Sequence, residues 1–205
     1  MIFKTNTIIM VLVMLCALSM PIQGARLNSD NVRDHGAWKS MKLSLGDYRF
    51  YRAINADDYS DLRILIDFDS QNCEPELKMH LDNDRSFDKD ESLGFRETAI
   101  RVDRKPIHDS LMKLSTNSGD ETIYGNAMVG DLSRLIAEMR LGRTLRFKFF
   151  GRDDNSDPFY AELTLTGSKA ALDRAATLCK QDQPRPEDYF EGNGTLPQED
   201  AEDYF

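Results

Sequence analysis

Thr144-Leu-Arg-Phe-Lys-Phe149 and Phe159-Tyr-Ala-Glu-Leu-Thr-Leu165 decide the fold class. Leu145, Phe147 and Phe149 alternate with Thr144, Arg146 and Lys148. Phe159, Ala161, Leu163 and Leu165 alternate with Tyr160, Glu162 and Thr164. Period-two alternation places one set on each face of a strand, so each run has an apolar and a wet side. The polar run 151–157 between them is a turn. The pair reads as an antiparallel hairpin in which Glu162 faces Arg146 or Lys148.

The flanks of this hairpin change period. Asp131 is placed to cap a helix whose Leu132, Leu135, Ile136 and Met139 recur at i, i+3, i+4 and i+7. Gly142 is expected to end it in the left-handed conformation. On the far side Ser168 is placed to cap a second helix, with Leu172, Ala175, Ala176 and Cys179 on one face.

Toward the N-terminus the alternation returns. Met41, Leu43 and Leu45, then Tyr48, Phe50 and Ile54, are expected to form one apolar face across the turn Gly46-Asp47. Leu62, Ile64, Ile66 and Phe68 form another strand, and Leu77, Met79 and Leu81 a third. Residues 82–92 are a charged loop. Ile100 and Val102 mark a further strand, and residues 111–115 one more. Some eight short strands and two helices make a mainly β protein, an antiparallel β-sandwich or open barrel with helices as lids.

The ends differ from this body. Residues 1–24 hold one charge, Lys4, then the apolar run from Ile8 to Met20 and a small-residue exit, with cleavage expected after Gly24. That is the layout of a secretory signal peptide. The run is shorter than a membrane span requires, so no stable membrane anchor is expected after its removal. Residues 25–36 are polar and aperiodic and read as a leader, 37–179 as the β-rich domain, and 180–205 as an acidic tail. The whole chain has 26 Lys and Arg against 35 Asp and Glu, a formal charge of −9. Losing Lys4 with the signal takes this to −10. Eight acids and two cations give the tail −6 of it, and three prolines with no periodicity predict disorder there. So acidic a chain lacks the clustered cations of a nucleic-acid binder.

Export gives the cysteines a meaning. Cys73 and Cys179 are the two that remain after signal removal, and two thiols in an oxidising compartment predict one structural disulfide. No CxxC spacing and no His or Asp cluster accompanies either. The tail repeats Glu-Asp-Tyr-Phe, at Glu187, Asp188, Tyr189 and Phe190 and again at Glu202, Asp203, Tyr204 and Phe205. Acids that steer and rings that anchor suit a short partner-binding motif, and two copies add avidity where a partner has two sites.

Catalytic chemistry finds little purchase. His35, His80 and His108 lie far apart without metal-ligand spacing, and no GxSxG, Walker or dinucleotide motif is present. The acidic run 82–93 has Phe87 where a calcium loop turns on glycine, and Leu93 where its bidentate acid belongs. No cofactor, metal or catalytic residue is predicted, and the reading leans away from an enzyme.

The stretch 95–179 resembles a group of small bacterial exported proteins: the invasion-associated locus B family and the type VI secretion-associated VasI-like proteins. The resemblance is carried by Ile100-Arg101-Val102-Asp103, the helix from Asp131 to Gly142 followed by 144–150, the run from Phe159 to Gly167, and a helix ending in Cys179. An early cysteine, here Cys73, matches as well. The charged insert 82–92 and the acidic tail depart from that pattern. The resemblance implies a compact β-rich periplasmic domain and transfers no active residue. Together these features predict a periplasmic or secreted, non-enzymatic envelope protein that binds an unknown protein, accessory to secretion or host interaction. The alternatives are a carboxylate-based hydrolase and an acidic inhibitor or immunity-type protein of a basic exported enzyme.

Overall fold

The alternating runs become ten strands in the computed structural model, which describes residues 27–55, 61–149 and 157–183. They are β1 (Leu27–Asp34), β2 (Trp38–Leu45), β3 (Tyr48–Asn55), β4 (Leu62–Asp69), β5 (Pro75–Asp82), β6 (Glu91–Val102), β7 (His108–Thr116), β8 (Thr122–Val129), β9 (Thr144–Phe149) and β10 (Phe159–Thr164). Two helices complete the set, α1 (Leu132–Leu141) and α2 (Ser168–Gln181). The strands form a single sheet in the order β1-β2-β3-β4-β5-β8-β7-β6-β9-β10, every neighbour antiparallel. The sheet curls until its two ends meet. Trp38 Nε1 donates to the Thr164 carbonyl at 2.9 Å, and the Ala37 amide to that of Thr166 at 3.2 Å. The protein is thus mainly antiparallel β with two helices and one disulfide, as the alternation predicts.

The curl wraps around the helices. Ile64, Ile66, Phe68, Met79, Ile100, Met112, Leu145 and Phe147 line its inner face. They meet Leu135, Ile136 and Met139 of α1 and Ala171, Leu172, Ala175 and Cys179 of α2. Both helix stripes recur at the i, i+3, i+4 spacing read from the sequence, and each large side chain buried this way contributes roughly 1.5–3 kcal/mol. Cys179 reaches Cys73, with Cα atoms 5.8 Å apart, and ties α2 to the turn between β4 and β5. The hairpin of β9 and β10 pairs Arg146 with Glu162, and Arg146 Nε donates to the carboxylate at 2.8 Å.

Four expectations are corrected and one strand is added. The polar leader contains a strand: β1 pairs with β2 despite having all eight residues exposed, because backbone pairing at a sheet edge needs no apolar face. The face of β2 and β3 is inverted. Trp38, Ser40, Tyr51 and Ala53 point into the core, and Met41, Phe50 and Ile54 point out, with Leu43 on that outer side yet only 3% exposed. Small Ser40 and Ala53 leave room for α2, which packs on these two strands. Strand β8, in a stretch the sequence left unassigned, runs through Gly125-Asn126. A Cβ at Gly125 would lie 2.8 Å from the Met112 sulfur, so glycine admits that side chain. Gly142 is extended (φ −84°, ψ 176°) rather than left-handed, and it is small because Val102 Cγ1 would sit 2.2 Å from a Cβ there. The cap of α2 is Gly167 at φ 92°, while Ser168 is buried and donates its hydroxyl to the Met139 carbonyl at 2.7 Å, joining the helices. Asp131 does cap α1, accepting from the Arg134 amide at 2.9 Å.

Candidate interaction surface

Side chains that alternate away from the core fall on the outer face of the curled sheet. On β6, β7 and β8 this face should be polar, yet Phe95, Leu111 and Met128 are exposed there. Register explains their grouping. Leu111 stands opposite both Glu97 and Met128, and Lys113 opposite both Phe95 and Asn126. A shallow groove of about 390 Å³ runs between them, lined by Glu97, Thr98, Asp109, Ser110, Leu111 and Met128. A second, of about 340 Å³, continues past Lys113 and Asn126 to Asp90 and Glu91. Neither Glu97 nor Asp109 forms an ion pair among the described residues. The first groove therefore presents two uncompensated carboxylates beside two aliphatic side chains.

The outer face of β3, β4 and β5 is built differently. Arg52, Asp67 and Glu76 share one cross-strand row. Arg52 grips Asp67 in a two-point contact, Nε to Oδ1 at 2.7 Å and Nη2 to Oδ2 at 2.8 Å. Lys78 adds its ammonium 3.2 Å from Asp67 and 2.8 Å from Glu76. Burial alone would lower the Lys78 pKa, but Glu76 and Asp67 outweigh it and hold the value above that of a free lysine. Next to this row His80 packs edge-on to Tyr124, ring centres 5.0 Å apart. Burial first, then Arg52 and Arg63, push its imidazole down to about 4, so it stays neutral at physiological pH. The row is a balanced ladder whose charges satisfy one another.

A third charged group lies inside. His108 and Glu138 are both buried, Nε2 to Oε2 at 3.0 Å, and Arg134 reaches the other carboxylate oxygen at 3.2 Å. Burial would raise the Glu138 pKa, but the hydrogen bonds from His108 and Arg134 win and hold it below the usual range. The trio fastens α1 to the start of β7. Among the described residues no group of three or more His, Cys, Asp or Glu is placed to hold a metal ion.

Of the residues singled out from the sequence, Cys73 and Cys179 are joined as a disulfide. Glu187, Asp188, Tyr189, Phe190, Glu202, Asp203, Tyr204 and Phe205 lie outside the described residues, as do residues 1–26 and 150–156. The described chain ends firmly. Asp182 accepts from the Lys42 ammonium and, at 2.6 Å, from the Tyr51 hydroxyl, and both depress its carboxyl pKa. Gln183 donates to the Ser70 carbonyl at 2.6 Å. The groove residues Glu97, Asp109, Leu111 and Met128 were not singled out from the sequence. Their one signal is Leu111-Met112, where adjacent apolar residues put one on the wet face of a strand.

No helix among the described residues is long and apolar enough to cross a membrane. No protein-family model matches the chain, and no curated protein matches its sequence. In fold it is similar to the crystal structure of invasion associated protein B from Bartonella henselae. The TM-score is 0.50 at 15% identity, over 74% of this chain and 99% of that one. The resemblance to the locus B proteins is thus supported at the level of fold.

Proposed function

We propose that the chain is an exported, non-enzymatic binding protein of the locus B and VasI-like kind. Its outer groove on β6, β7 and β8 takes a segment of another protein that carries a basic side chain beside an aliphatic one. The observation that carries this is the pairing of Glu97 and Asp109, which form no ion pair among the described residues, with exposed Leu111 and Met128. Exposed apolar side chains grouped on a polar face mark contact sites, and the flanking charges set which partner is accepted. The disulfide and the fold it shares with invasion associated protein B support an exported life in secretion or host interaction. A partner rich in lysine or arginine also fits an acidic inhibitor of a basic exported enzyme, and the same carboxylates favour that form of the reading. The Glu-Asp-Tyr-Phe copy at 202–205 serves as a second, tail-borne contact.

The test places a photo-crosslinking residue at Met128 and irradiates native envelopes. One trapped protein is expected. Its yield should fall about tenfold in a Glu97→Gln/Asp109→Asn variant, the loss of roughly 1.4 kcal/mol of charge complementarity. An adduct pattern indifferent to those charges overturns the proposal.

A further inference from the structure

A second apolar patch lies at the opposite corner of the sheet, beside the point where the tail leaves. Leu27, Leu45 and Tyr48 stand in one cross-strand row on β1, β2 and β3, and are 53%, 42% and 48% exposed. Phe50 follows in the next row, opposite a Leu43 that is only 3% exposed, and its ring lies 5.8 Å from that of Tyr48. The face inversion in β2 and β3 creates this patch, since these strands carry apolar side chains on both sides.

The chain itself leads to it. Gln183 bonds to Ser70, the neighbour of Asp69, and the Asp69 carboxylate accepts from the Tyr48 hydroxyl at 2.7 Å. That bond, with burial second, pushes the Tyr48 phenol up to about 12, so it stays a neutral donor. Arg49, beside Tyr48, has no ion pair among the described residues and lies close enough to Asp182 to lower its pKa. From Gln183, six residues reach Tyr189, a span of up to about 20 Å. The three-strand row is roughly 10 Å across. The first Glu-Asp-Tyr-Phe copy can therefore cover the patch, with Glu187 and Asp188 crossing the rim at Arg49.

We infer that Tyr189 and Phe190 dock in cis on the row Leu27, Leu45 and Tyr48, while the copy at 202–205 stays available to a partner. A tether this short gives an effective concentration in the millimolar range, enough for two rings and a charge pair to hold. The repeat then has a division of labour: one copy fixes the tail's base, the other reaches outward.

The experiment puts p-benzoylphenylalanine in place of Leu45 in the full chain. Irradiation should give an intramolecular crosslink to a peptide containing residues 187–190. Tyr189→Ala/Phe190→Ala should cut its yield about tenfold, the loss expected for an aromatic anchor, and Tyr204→Ala/Phe205→Ala should leave it intact. Amide exchange in β1 should also speed up when 184–205 are deleted. A crosslink to 202–205, one between two copies, or none at all overturns the inference. None of these outcomes bears on the groove at Met128, whose variants are separate.

Discussion

Gly167 lies against the backbone of His35, so closely that a Cβ on the glycine would fall 1.3 Å from the His35 carbonyl oxygen. The contact locks the start of α2 onto the link between β1 and β2. Gly167 is also left-handed, at φ 92°. Gly167→Ala therefore meets a clash and backbone strain together, and should cost about 3 kcal/mol or more in urea unfolding. Gly46→Ala is the control. It is left-handed too, at φ 61°, but a Cβ there meets nothing within 4 Å, so the expected cost is about 1 kcal/mol. Equal losses at the two sites would show that the contact with His35 contributes nothing.

The disulfide closes a loop across 106 positions. The chain-entropy model assigns such a loop about 4.7 kcal/mol. Cys73→Ala/Cys179→Ala should lower unfolding stability by roughly 2–5 kcal/mol, and reductant should have the same effect on the parent and none on the variant. If the reduced parent unfolds at the same urea concentration as the oxidised one, the bridge is not what holds α2 in place.

How much of this was legible depended on whether one segment or several decided the outcome. The helices read correctly because Leu135, Ile136 and Met139, like Leu172, Ala175 and Cys179, each declare a face within ten residues. The hairpin of β9 and β10 read correctly, and register selects Arg146 from the two partners, Arg146 and Lys148, left open for Glu162. The faces of β2 and β3 did not. Both faces carry apolar groups, and α2, more than 100 residues away, decides which side becomes core by packing on Ser40 and Ala53. Strand β8 hid behind Gly125, whose smallness answers Met79 and Met112 on neighbouring strands. The groove was illegible because Glu97, Leu111 and Met128 come from three strands and meet only through register.

Asp67 is buried beside Arg52 and Lys78, whereas Glu162 holds Arg146 in the open. Removing one partner of a buried ion pair strands the other charge and costs about 3–5 kcal/mol. Exposed pairs contribute roughly 0–1 kcal/mol. Asp67→Ala should thus destabilise several-fold more than Glu162→Ala, and Arg52→Met/Asp67→Leu should recover most of the loss by removing both charges. A double variant as unstable as Asp67→Ala would mean that the ladder matters through its shape and hydrogen bonds rather than its charge.

His80 gives the fold a dependence on mild acid. The unfolded imidazole takes a proton near pH 6.5, whereas in the folded chain burial, Arg52 and Arg63 hold it off until about 4. Between those values the unfolded state binds more protons, so stability falls as the pH drops from about 6.5 to 4. Burial and Arg174 lower His35 as well, and it adds in the same direction, so the comparison keeps His35 unchanged. The depressed carboxyls Glu138, Asp69, Asp173 and Asp182 act in a lower window. Their contribution is present above the unfolded carboxyl range and is lost as the pH falls through their folded values. His80→Gln should therefore flatten the upper part of the profile alone, by up to about 3 kcal/mol at pH 4 relative to the parent, less what solvent screening of the partly buried ring removes. Urea midpoints at pH 7, 6, 5 and 4 measure it. Parallel profiles for parent and variant would place the titrating group elsewhere.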